Sequence, residues 1–245
     1  MLLVVASIPM LFFSLYSLGF AIYLSSFRYP AERFSGLYNL TRVLSDHEFR
    51  ASLNATSVYV SLTVGSEVLL GTVFSVAVHR TVRSGFLRAV IYLLFIIPIA
   101  TPSVVAGVIF RLLFIPRYGL IDAALLKAHV ISASIPWLFN PRWAMVSVVV
   151  ADVWRQTPLV FLILFSGLQA VPKDIVEAAS LDGAPSWHLF RYVELIYLKR
   201  LLMVVGVLRL SDSFRVFDHV FLLTGGGPGN ATEFLSLYLV LPVSK

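Results

Sequence analysis

The segment Val171-Pro-Lys-Asp174-Ile-Val-Glu177-Ala178-Ala179-Ser-Leu-Asp182-Gly183-Ala-Pro185-Ser-Trp187-His-Leu-Phe190-Arg-Tyr-Val193 separates two apolar runs and is too long and regular for a simple connector. Its spacing predicts helix, turn, helix. Asp174 is placed to cap the first short helix, Gly183 tolerates a conformation unfavourable to other residues, and Pro185-Ser-Trp opens the second helix. Small Ala178 and Ala179 let another surface approach closely.

The flanking runs are long enough to cross a bilayer, whose hydrocarbon layer of about 30 Å needs roughly 20 mostly apolar residues in helix. They cover residues 143–165 upstream and 201–223 downstream, both with internal charges. Further upstream lie windows at 89–114, 55–78 and 2–24. The window at 2–24 has no charge, and it is too long and lacks the basic leader of a cleaved signal peptide. Pro98 and Pro102 are expected to bend the 89–114 helix, since each removes a backbone donor and crowds the preceding turn. With 58% hydrophobic and 13% charged residues and a mean hydropathy of +0.87, the chain holds more apolar side chain than a soluble core of this size can hide.

The net charge of +6 does not point to nucleic acid, because the basic residues are scattered between apolar runs and read as loop anchors. Arg80, Arg83 and Arg88 crowd one short loop without an acid, which places that loop inside. Counting helices puts 168–200 inside as well and the 225–232 loop outside. The loop after the first helix is also basic, with Arg28, Arg33, Arg42 and Arg50, and conflicts with this count. A basic leader upstream of Met1 would resolve it. Cysteine is absent, excluding disulfides and thiolate chemistry, and the five histidines are too dispersed for a local metal motif. No phosphate-binding Gly-x-x-x-x-Gly-Lys-Ser/Thr sequence occurs, so ATP hydrolysis and its cofactors belong elsewhere.

The quoted segment resembles the EAA loop of ABC importer permeases: Glu177-Ala178-Ala179, Gly183, then Val193 and Leu195 at the family's spacing, with Ile196 where the family has proline. The run from Phe217-Asp218 through Leu-Thr224-Gly225-Gly226-Gly227-Pro228 to Glu233 resembles the ending of carbohydrate-type permeases. The 137–171 stretch, with Asp152-Val-Trp154, Thr157-Pro158 and Gly167-Leu-Gln-Ala-Val-Pro172 beyond it, is similar to the maltose and glycerol-phosphate branch. The likeness covers residues from about 54 to 237. It implies an all-α, polytopic bundle of the type I importer permease class, with 1–53 as first helix and external loop, 54–237 as permease core containing the coupling loop at 171–200, and 238–245 as its end. It further implies that Glu177, Ala178, Ala179, Asp182 and Gly183 couple to a separate ABC ATPase, with a second permease subunit, an extracytoplasmic substrate-binding protein and membrane lipid as partners. Family members finish with another long helix. The ten residues at 234–243 cannot span, so five spans and a truncated sixth are expected.

Charges inside spanning helices are costly and should face protein or water. Asp152 with Arg155, Arg209 with Asp212, and Arg215 with Asp218 stand three apart on helical faces, which reads first as local pairing. Asp152, Trp154, Gln156 and Asp212 are also candidates for a sugar path, since hydroxyls need polar groups and an aromatic face. Glu67, alone in its helix, is expected to bond a neighbouring helix. The Asn-x-Thr triplets at Asn39, Asn54 and Asn230 read as chance matches or helix caps. Two rival functions are an intramembrane enzyme built on Asp152, Asp212 and Asp218, and an ion-coupled secondary transporter. Nothing in the sequence places those aspartates together, no inverted repeat is visible, and no catalytic residue is assigned.

Overall fold

The computed structural model describes residues 2–28, 33–181, 183 and 185–240, with 2–7, 10, 173 and 180 described by backbone alone. The chain divides into two units, Met1–Ala51 and Ser52–Lys245. In the first, α1 (Leu2–Ser25) leads to a two-residue antiparallel pair, β1 (Phe27–Arg28) and β2 (Arg33–Phe34), and then to α2 (Tyr38–Ser45). The Asn39 amide closes the end of α1, donating to the carbonyls of Ser25 and Phe27 at 2.8 Å each, so this triplet does serve a helix terminus. α3 (His47–Thr81) starts in this unit and continues through the second.

Capping and proline chemistry set the bounds in the second unit. The Ser84 hydroxyl accepts from the Leu87 N–H at the start of α4 (Gly85–Ala100). Pro98 sits in the last turn, and Thr101, held extended by the following Pro102, stops the helix. The next helix, α5 (Ser103–Leu113), turns away by 96°, so the expected bend is a sharp break. After α6 (Leu120–Lys127), Asn140 accepts from the N–H groups of Arg142 and Trp143 to open α7 (Pro141–Gln169), with proline in its preferred first position. α8 (Lys173–Leu181), α9 (Ser186–Leu189) and a π-helix (Phe190–Glu194) lead into α10 (Leu195–Phe214); α11 (Asp218–Leu223) and α12 (Leu235–Val240) follow.

The 201–223 window is therefore not one helix: α10 stops at Phe214 and α11 begins anew at Asp218. By length and apolar composition, α3 and α7 can each cross a membrane, and the bent α4–α5 pair makes a third crossing if counted as one. α10 is interrupted by Lys199, Arg200, Arg209 and Asp212. The described apolar stretch of α1, Leu11–Ser25, is shorter than α3 or α7.

α3 and α7 meet at Gly71, where a Cβ would lie 2.6 Å from the Val160 side chain, the close approach that small residues permit between membrane helices. At Gly107, a Cβ would lie 3.0 Å from the His219 backbone, so α11 rests directly on α5. Tyr59, Phe110, Phe114, Trp137, Val148 and Phe234 belong to one core, and Val160, Leu164, Leu168, Leu198 and Val205 form a second.

Outside the spans, Asp122 on α6 organises the α5–α7 connection. It is fully buried and accepts from the Ser134 hydroxyl, Trp137 Nε1 at 2.7 Å, and the backbone N–H groups of Arg117 and Ile135. Burial alone would raise its carboxyl pKa; the four donors overcome that and hold it below the ordinary range. A carboxyl lowered in the folded state adds stability that is complete above its unfolded pKa and lost as pH falls through the folded value. Thermal stability in detergent is thus expected to drop below about pH 4. Asp122→Asn should weaken the fold at neutral pH and flatten that acid-side loss; an unaltered acid profile in the variant would contradict the assignment.

Candidate translocation site and coupling segment

Arg209, 1% exposed on α10, is the centre of a charged network joining three long helices. Its guanidinium grips Glu67 of α3 with two bonds, Nε to Oε2 at 2.7 Å and Nη2 to Oε1 at 3.0 Å. Nη2 also reaches Asp152 Oδ2 of α7 at 3.3 Å and Ser213 Oγ at 3.4 Å, while Nη1 stands 3.5 Å from Asp212. Asp152 accepts further bonds from the Tyr59 hydroxyl at 2.7 Å and Arg155 Nη2 at 3.1 Å. Every buried carboxylate here thus has a cationic partner, as a low-dielectric interior requires.

Beside the network opens a polar cavity of about 120 Å³, lined by Asp152, Arg155, Arg209, Asp212, Arg215 and Asp218, with Ser103, Val216, Phe217 and His219 completing its wall. Both carboxylates and guanidiniums line it. His219 Nε2 is buried and has no hydrogen-bond partner among the described residues; it stands 3.9 Å from Asp152. Asp212 and Arg215 stand at the exposed mouth, 3.2 Å apart.

Two of the four path candidates, Asp152 and Asp212, are brought together here. Trp154 points elsewhere: it lines an apolar groove of about 260 Å³ with Leu70, Phe74, Phe95 and Pro98, its ring edge toward Phe110. Gln156 is not part of the cavity wall, and with its amide oxygen turned to the Arg155 guanidinium it accepts bonds at 2.7 and 3.0 Å. The local pairs expected for Asp152 with Arg155 and for Arg209 with Asp212 form, whereas Arg215 pairs with Asp212. Asp218 instead accepts from the Ser103 hydroxyl at 2.6 Å, a contact from α5 that α11 brings within reach. Sequence reasoning missed Tyr59, His219 and the central place of Arg209. A lone acid in an apolar helix needs a cation, and Arg209 was within helical depth to supply it.

The 171–193 segment folds as helix, turn, helix, as the sequence predicts in outline. Asp174 does not cap α8, since the helix already includes Lys173; its carboxylate sits in the first turn, where the helix dipole favours it. Glu177 and Ala178 are exposed, Ala179 is half-buried, and Asp182 lies outside the described residues. Gly183 has φ +73°, and a Cβ there would meet nothing within 4 Å, so backbone conformation and not space selects glycine. Leu181 and Trp187 stand out at 88% and 62% exposed. Ile196 supplies the N–H that proline lacks, and the chain passes from π-helix into α10 without a break. Glu194 pairs with Arg80 at the end of α3 at 2.7 Å, and His79, Arg88, Glu177 and Glu194 face a common cavity of about 420 Å³. The basic 80–88 loop and the 171–194 segment thus occupy the same end of this unit.

The sequence profile described as binding-protein-dependent transport system inner membrane component matches residues 68–241. The chain belongs to this family. It is a membrane-embedded permease, a transport subunit and not an enzyme. The permease is 39% identical over 209 residues to the trehalose/maltose transport system permease protein MalF of Thermococcus litoralis, covering 85% of this chain and 69% of that protein. It is 31% identical over 238 residues to the trehalose transport system permease protein SugA of Mycobacterium tuberculosis, covering 92% and 72%. A chain in the crystal structure of a bacterial alginate ABC transporter, bound to its alginate pentasaccharide-carrying periplasmic protein, superposes with a TM-score of 0.80 at 16% identity, covering 97% of this chain and 81% of that one. The all-α permease fold is shared with it.

Proposed function

We propose that this permease forms half of the path of an ATP-driven importer for a neutral sugar or related polyol. The observation that carries the reading is the cavity beside Arg209: three aspartates and three arginines line it, so their formal charges cancel. Such a wall offers acceptors and donors to hydroxyls without a net field for an anion or a cation. Its size suits one edge of a sugar ring, leaving the remainder to a second permease subunit across the path. The relatives named for trehalose and maltose transport support the substrate class. An extracytoplasmic binding protein delivers the sugar, and ATPase subunits seat on the segment that contains Glu177, Ala178, Ala179, Asp182 and Gly183.

Alternating access then follows from the connections on this chain. Motion of α8 and α9 passes through the π-helix into α10, the helix that carries Arg209 and Asp212. The test is uptake of radiolabelled trehalose and maltose by cells carrying the complete importer, with an acidic alginate oligosaccharide as competitor. Asp212→Asn is expected to reduce uptake about 10-fold or more, the scale of one lost charged hydrogen bond. Competition by the acidic sugar equal to that by unlabelled trehalose would contradict the neutral-cavity reading.

A further inference from the structure

A second feature lies at the start of α10, away from the polar cavity. Arg191, Leu195, Ile196, Lys199, Leu202 and Met203 line a groove of about 520 Å³ on the outer side of the π-helix and the first turns of α10. Ile196 and Met203 are 66% and 56% exposed, and the exposed apolar surface continues along α10 at Val204 and Val207. Arg191 and Lys199 are both exposed, and neither forms an ion pair among the described residues. Basic heads above an apolar floor, at the end of a membrane-embedded helix, match the two halves of a phospholipid.

We propose that this groove holds an anionic phospholipid, with its phosphodiester between Arg191 and Lys199 and one acyl chain running along α10 toward Met203. Eight residues separate the two cations, about 12 Å on an ideal helix axis. Helical side chains lean toward the helix N-terminus, a direction that carries a lysine ammonium at position 199 toward the headgroup layer. Arg80, Arg83 and Arg88 belong to the same end of this unit; among the described residues Arg80 is paired with Glu194 and Arg88 shares a cavity with Glu177, and these bases together with Arg191 and Lys199 outnumber those two acids. The surrounding potential is therefore positive and favours an anion over a zwitterion. A protein partner in this groove would leave a lysine at an apolar interface, where lysine is depleted.

The purified full chain, in detergent, is incubated with equimolar phosphatidylglycerol and phosphatidylcholine of identical acyl chains, and retained lipid is read by native mass spectrometry. Each basic residue near an anionic headgroup contributes about a five-fold preference, so the pair predicts roughly 25-fold enrichment of phosphatidylglycerol. Arg191→Gln with Lys199→Gln should bring the two lipids to parity, while Arg142→Gln, elsewhere on an exposed helix start, leaves the enrichment intact. Raising salt should reduce phosphatidylglycerol retention by the unmodified chain, a check that requires no variant. Equal retention of the two lipids by the unmodified chain, or enrichment that survives the double substitution, overturns the proposal. So does loss of bound phosphatidylglycerol when a second permease subunit assembles, because that subunit would then be the occupant.

Discussion

Arg209→Ala is expected to destabilise the permease by about 3–5 kcal/mol, the cost of removing one partner from a buried ion pair. Glu67, fully buried, would lose both of its bonds, and Asp152 would keep only Tyr59 and Arg155. Glu67 would then stand as an uncompensated carboxylate inside the helical core, with Asp152 held only by its remaining partners. Thermal unfolding in detergent, together with the yield of monodisperse protein, measures the loss. Glu67→Leu with Arg209→Met replaces the pair by apolar groups of similar size and should restore much of the stability, since such exchanges are often neutral or better. That rescued protein is still expected to transport poorly, because Arg209 also lines the polar cavity. An unfolding temperature for Arg209→Ala close to that of the unmodified chain would mean that the network does not hold α3, α7 and α10 together.

The second large effect falls on transport and spares the fold. Gly183 occupies a left-handed conformation at φ +73°, whereas proline is fixed near −65°. Gly183→Pro combined with Glu177→Lys redirects the hairpin and reverses a charge on its exposed face. Neither position is buried, so folded protein should accumulate normally. Sugar uptake by the complete importer is expected to fall to background. Uptake above half of the unmodified level would remove the coupling role from this segment.

Much of this was legible before the structure, for physical reasons that differ by region. The helix, turn, helix of 171–193 could be read because Gly183 and Pro185 constrain the backbone locally. Pro98 and Pro102 signalled a bend, but not its 96° magnitude or the packing of α5 against α11 at Gly107. The division of the 201–223 window was hidden: hydropathy runs on through Val216 and Phe217, while the chain leaves helical geometry at Arg215. Within the candidate site, partners three residues apart were predictable from helical spacing. The grip of Arg209 on Glu67 spans 142 positions, and no periodicity along one helix encodes it. Trp154 shows the same limit, since its face of α7 is apolar while Asp152, two residues earlier, faces the charges.

The most direct measurement is co-purification of a tagged ATPase subunit of the same importer with this permease and with its Gly183→Pro, Glu177→Lys variant. The ATPase subunit is predicted to accompany the unmodified chain in stoichiometric amount and to be lost from the variant, with both permeases equally folded. Failure of the ATPase to associate with the unmodified chain, or equal association with both, would contradict an ATP-coupled permease working through this segment.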